Sequence, residues 1–237
     1  MGGGTGEELE RIRELRERGL TPKEIARAVG LPPARVTHLV RKIAAAETID
    51  PTQRPVVESW VSPGWSAGLT VTGHPEWLAE PAEEDPSSGL VGVLVAREAG
   101  RSRVSVCAWL VDVYCLGVKN DVGPKVDYRS SLPTIVHDFF GVFGERPVAA
   151  PLELAQHLVL GAVEYARSLG FEPAAEADFA DTRGHLGSWQ GPSAIRFGRQ
   201  GKPFFIAGPH DDAVRVVRQL ERSVGAGNFD YVIGMPG

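Results

Sequence analysis

The run TPKEIARAVGLPPARVTHLVR, residues 21–41, constrains the fold of this chain more tightly than any other stretch. Thr21, Pro22, Lys23 and Glu24 read as a capping box with proline at the first helical position, so a helix begins there. It ends at Gly30, because glycine enters the left-handed backbone region without steric cost. A further helix starts around Pro32–Pro33 and runs to about Ala46. Ile25, Val29, Leu31, Val36 and Leu39 fall at spacings that turn them inward, and Ala26 is small where two helices must cross closely. Ahead of them, EELERIRELRERG (residues 7–19) places Leu9, Ile12 and Leu15 near a three-to-four spacing, with acids toward its start. Residues 1–6 read as a flexible head. Residues 1–46 are therefore expected to form a three-helix module.

Where these residues align, Glu7–Ala45 resembles the bacterial helix-turn-helix family, near the sigma-factor region 4, LuxR and MarR-like variants. The resemblance covers about a fifth of the chain. It implies a DNA-binding trihelical module, and no hairpin after Ala46 reads as a wing. The last helix carries Arg35, His38, Arg41 and Lys42, with no acid between Leu31 and Ala46. Laid in a major groove, it turns Pro33, Ala34, Thr37, His38 and Arg41 toward base edges and leaves Arg35 and Lys42 for phosphates. Ala34 and Thr37 suit a thymine methyl, and Arg41 suits guanine. The expected DNA-binding residues are thus Arg35, Thr37, His38, Arg41 and Lys42. A bundle serving protein contact is the alternative; the basic, acid-free outer face favours DNA. One such unit buries little surface on DNA, so a homodimer reading two half-sites is expected.

Charge bounds the rest. Residues 1–50 hold nine Lys/Arg against eight Asp/Glu, the remainder 16 against 22, for a net charge of −5. That argues against a chain coated with nucleic acid along its length, and a locally basic element on an acidic body is expected to make modest, salt-sensitive DNA contacts. Only Cys107 and Cys115 are present, no apolar run approaches the ~20 residues that span a bilayer, and Met1-Gly-Gly-Gly opens no basic and apolar leader. A cytoplasmic protein with reduced thiols, away from membranes, is expected. Arg outnumbers Lys 20 to 5, which reads as the codon bias of a GC-rich bacterium.

Residues 47–57, with two prolines, read as a linker, and residues 58–237 as a domain of unknown role. The stretch from Val57 to Trp77 reads as irregular, and residues 80–89 as an acidic loop. Leu90–Arg97 and Arg103–Tyr114 are β-branched apolar runs around a short polar turn, hence a hairpin. Pro133–Phe143 and Pro151–Leu169 read as helices, and Ala194–Phe197 and Pro203–Ala207 as a second hairpin. Asp211 or Asp212 caps a last helix to about Val224, and Phe229–Ile233 closes as a strand. The predicted fold class is α+β, a trihelical module followed by a mainly antiparallel sheet with helices.

The larger domain offers two enzymatic alternatives, each directed to nucleic acid by the module. Cys115 follows an apolar strand at a turn, Lys119 four residues on can lower a thiol pKa, and His157 and Glu164 share one helical face. A thiol hydrolase can be drawn from Cys115, Lys119, His157 and Glu164. The region around Tyr114–Lys119 and the His157 helix resembles an uncharacterised bacterial family, which implies no activity. A metal-dependent nuclease would instead gather Asp112, Glu164, Asp211 and Asp212. The opposing readings are plain: a buried apolar cysteine, a helix cap at Asp211, a solvated Glu164. His137–Asp138 and His210–Asp212 lack zinc-ligand spacing, the glycine clusters at 198–201 and 225–227 suit turns, and no cofactor or metal is expected. Cys107 reads as core, about 26 Å along the strand from Cys115 and too far for a disulfide. Trp60, Trp65 and Trp77 read as cover for the sheet, with a ligand pocket as the alternative.

Overall fold

The computed structural model describes residues 4–46, 54–78, 89–144, 146–174 and 176–233. The chain divides into two compact units, Met1–Asp50 and Pro51–Gly237. It is mixed α and β, with three short helices followed by an antiparallel sheet.

In the smaller unit, α1 spans Gly4–Glu17, α2 Pro22–Val29 and α3 Pro33–Ala46. The α1 start lies three residues ahead of the expected one, which brings Glu7 and Glu8 into early turns where acids favour the helix dipole. Of the expected flexible head, residues 1–3 lie outside the described residues. At α2 the capping box is complete: Glu24 N–H donates to Thr21 Oγ1 at 3.4 Å, and the Glu24 carboxylate accepts from Thr21 N–H at 2.8 Å. Gly30 closes the helix at φ 68°, its N–H donating to the Ala26 carbonyl. Ile12, Ile25, Ala26, Val36 and Leu39 make a small core where the three helices meet.

The larger unit is built on a five-stranded sheet. Its strands are β1 (Val56–Val61), β3 (Leu90–Glu98), β4 (Arg103–Asp112), β5 (Gly117–Tyr128) and β6 (Val148–Ala149). A short β2 (Thr70–Val71) precedes β3 in the chain and lies outside this sheet. The order is β5-β4-β3-β1-β6, every neighbouring pair antiparallel. The β3 and β4 runs are buried on both faces, because strand alternation divides them between two cores. Val91, Val93, Val95, Cys107, Trp109 and Val111 pack toward α5 (Leu152–Ser168). Leu94, Ala96, Val104, Val106 and Ala108 pack toward α4 (Leu132–Phe140).

Three expectations need correction. The irregular reading from Val57 fails, because β1 starts at Val56 and places two residues of the expected 47–57 linker in the sheet; residues 47–53 lie outside the described residues. β5 was not expected, since KNDVGPKVD is polar and holds Gly and Pro. An edge strand tolerates those residues because only one of its sides must complete the ladder, and Gly123 and Pro124 fall at the register shift between Val106 and Ala108. The hairpin at 194–207 also divides. β7 (Ile195–Arg196) pairs with β2, while β8 (Phe204–Ile206) runs parallel to β9 (Asp230–Val232). Arg199 and Lys202 bridge the turn between them, but the arms leave for different partners. The expected acidic loop lies outside the described residues apart from Gly89.

Two helices complete the unit. α6 (Glu176–Arg183) packs on β5, and Trp109 Nε1 donates to its Thr182 Oγ1 at 3.1 Å. α7 (Ala213–Val224) is capped by Asp212 Oδ1, which accepts from Arg215 N–H at 3.0 Å. Its Val216 and Leu220 join Cys115, Ala166, Leu169 and Phe205 in a third core.

Candidate functional site

On the smaller unit, α3 buries Val36 and Leu39 against its neighbours and leaves Pro33, Ala34, Arg35 and His38 exposed. Arg35 Nη2 lies 3.2 Å from Glu8 Oε2 of α1. Thr37 is half-buried, and its hydroxyl donates to the Pro33 carbonyl at 2.9 Å. That bond consumes the hydroxyl proton within the helix. The Arg41 and Lys42 side chains lie outside the described residues. The described outer side of α3 therefore offers one guanidinium tied to an acid on α1, one exposed imidazole and two small apolar groups.

The four residues drawn as a thiol site separate into two places. Cys115 is fully buried among Ala166, Leu169, Phe171 and Phe205. Burial, and then the Asp112 charge, push its thiol up far enough to keep it protonated, and Lys119 only partly opposes them. Lys119 Nζ is engaged by Asp211 Oδ2 at 2.6 Å. His157, on α5, accepts the Ala194 N–H at Nδ1 (2.8 Å). Its ring meets Trp77 and Trp189 at centroid distances of 5.2 and 4.9 Å. Glu164 Oε1 accepts from Trp189 Nε1 at 2.6 Å. The thiol-hydrolase alternative is overturned: a buried, protonated sulfur is no nucleophile, and the Nδ1 lone pair of His157 is occupied.

The nuclease alternative fails on placement. Asp112 Oδ1 accepts from the Tyr114 and Cys115 N–H groups at 2.9 and 3.0 Å and so closes the turn between β4 and β5. Burial raises its pKa to about 6 despite those bonds. Asp211 takes Lys119 and the Gly208 N–H, Asp212 caps α7, and Glu164 holds Trp189. Among the described residues no three His, Cys, Asp or Glu side chains are grouped to hold a metal ion. Asp112, Tyr114 and Lys119 do line a small cavity of about 100 Å³ together with Phe204 and Gly208. Cys107 is core, its thiol pushed up to about 12 by burial, and both cysteines are free.

The three tryptophans do not stand together. Trp60 packs on the α4 side of the sheet, opposite its β1 neighbour Val61, whereas Trp65 and Trp77, beyond β1, join Val61 on the α5 side. Trp77 carries a stacked His74, with centroids 3.9 Å apart and planes 8° off parallel. His74 Nδ1 in turn lies 3.0 Å from Glu76 Oε1. His74, Trp77, His157 and Trp189 form a continuous ring cluster drawn from three distant segments. Sequence reasoning missed His74 and Trp189; HPEW at 74–77 was the visible part of the signal.

Among the described residues no helix is long and apolar enough to cross a membrane. No protein-family model, curated protein or solved structure matches this chain.

Proposed function

We propose that the chain is a DNA-binding protein, a transcriptional regulator or accessory factor. Its three-helix unit reads DNA through α3, and its α+β unit supplies dimerisation or ligand sensing. The observation that carries this reading is the sidedness of α3. One side is buried with α1 and α2, the other exposes Pro33, Ala34, Arg35 and His38, and residues 31–46 contain no acid. An exposed helix of that composition, following a short turn, has the size and charge to enter a major groove.

The Arg35–Glu8 pair fits a phosphate contact. Both groups are partly exposed, so the pair contributes at most about 1 kcal/mol and a phosphate readily displaces the carboxylate. Arg41 and Lys42 continue the basic character one turn further along α3. Two copies of the unit are needed for ordinary specific affinity, since a single one covers little DNA.

Genome-wide capture of fragments bound to the full chain tests the reading. An enriched motif with two similar half-sites is the expected result. Recovery indistinguishable from input DNA overturns it.

A further inference from the structure

A cavity of about 230 Å³ opens beside Trp65 and Trp77 in the larger unit. Its other walls are Val61, the turn at Gly64–Ser66, residues 148–151 and Leu154. Among the described lining residues Glu76 is the only ionisable one. Its side chain is 63% exposed at the rim, and its carboxylate is held below the usual range by its own backbone N–H and then by His74. His74, stacked on Trp77, fixes that indole and the carboxylate relative to each other. The first turn of α5 forms one wall and carries Glu153, which offsets the positive end of that helix.

We propose that this cavity binds a small organic cation, an alkylammonium whose charge meets Glu76 and whose carbon groups lie against Trp65 and Trp77. The chemistry of the walls selects it. His74 already covers one face of Trp77, so the buried indoles supply chiefly apolar contact for the carbon groups, and the Glu76 carboxylate at the rim supplies the attraction for positive charge. Anions meet a negative rim, and a neutral guest gains only the apolar contact. The volume lies below the ~300 Å³ where drug-sized pockets begin, so the guest is small. The site stands whether or not the three-helix unit binds DNA.

The test titrates choline and phenethylammonium into the full chain, with calorimetry and tryptophan fluorescence as readouts. Their neutral counterparts, 3,3-dimethylbutan-1-ol and 2-phenylethanol, serve as controls. At least one ammonium saturates the site, its neutral counterpart binds about threefold to fivefold more weakly, and added salt weakens only the cation. E76Q, at an exposed position, lowers cation affinity by up to about fivefold and leaves neutral binding unchanged. The proposal is overturned if neither ammonium saturates, if the neutral counterpart binds as well, or if folded E76Q binds the cation like wild type. Should E76Q not fold, the ratio of cation to neutral affinity on the wild-type chain decides.

Discussion

The backbone N–H of Ala194 donates to His157 Nδ1 at 2.8 Å, so the imidazole keeps its proton on Nε2 and its acceptor nitrogen is spent. The contact joins α5 to the segment leading into β7. Partial burial lowers the His157 pKa below 6.5, because the charged ring is poorly solvated there.

A pH dependence follows from that bond. Below 6.5 the unfolded chain takes a proton that the folded His157 resists, so this residue's stabilising contribution is complete above 6.5 and is lost as pH falls. H157N keeps an acceptor for Ala194 N–H and removes the titration. Urea unfolding between about pH 5 and 7.5 should show a shallower acid decline for H157N than for wild type. Parallel profiles would contradict the assignment.

Asp112 works in the opposite sense. Its folded pKa is raised to about 6 from 3.8, with burial as the first cause. Between those values the unfolded chain has released a proton that the folded chain still holds. Stability therefore declines as pH rises from about 4 to about 6, by on the order of 3 kcal/mol for this group. The difference between wild type and D112N should carry that slope and flatten above pH 6. A difference independent of pH would show that Asp112 ionises freely in the folded state.

Thr21 is worth about 1 kcal/mol to the smaller unit through its cap. T21A should lower that unit's melting temperature, read by circular dichroism of the full chain, and leave the larger unit's transition in place. An unchanged first transition would mean that the reciprocal bond with Glu24 adds nothing.

Glu8 restrains the Arg35 guanidinium in the free protein. E8Q should strengthen DNA binding by up to about fivefold, because it frees Arg35 and removes a negative charge from the approaching face. Unchanged or weaker binding in folded E8Q would place Arg35 away from the phosphates.

The parts legible in the sequence are those set by local chemistry. The α2 cap and the Gly30 stop follow from side-chain and backbone geometry over ten residues, and Leu90–Glu98 with Arg103–Asp112 pair through a short turn. What stayed hidden depends on distant partners. β5 reads as a loop until β4 pairs with it and α5 closes over Gly117, where a Cβ would lie 2.9 Å from that of Ala166. The two arms around Gly198–Lys202 look alike locally but are claimed by β2 and β9. His157 and Glu164 were visible as one face of a helix, whereas His74 and Trp189, which define what that face touches, come from loops 83 residues before and 32 after His157. The turn that carries Cys115 is legible because β4 ends there in the sequence, whereas the packing of Phe171 and Phe205 over the thiol comes from distant segments.

The most direct measurement of α3 meeting DNA is fluorescence anisotropy of labelled genomic duplexes titrated with the full chain at about 50 mM salt and then at rising salt. Binding should saturate, with the logarithm of the binding constant falling linearly with the logarithm of salt, a marked loss in R41A, and a slope smaller by about one in K42A. No anisotropy change with any duplex at low salt would contradict the proposed DNA contact, as would binding indifferent to both Arg41 and Lys42.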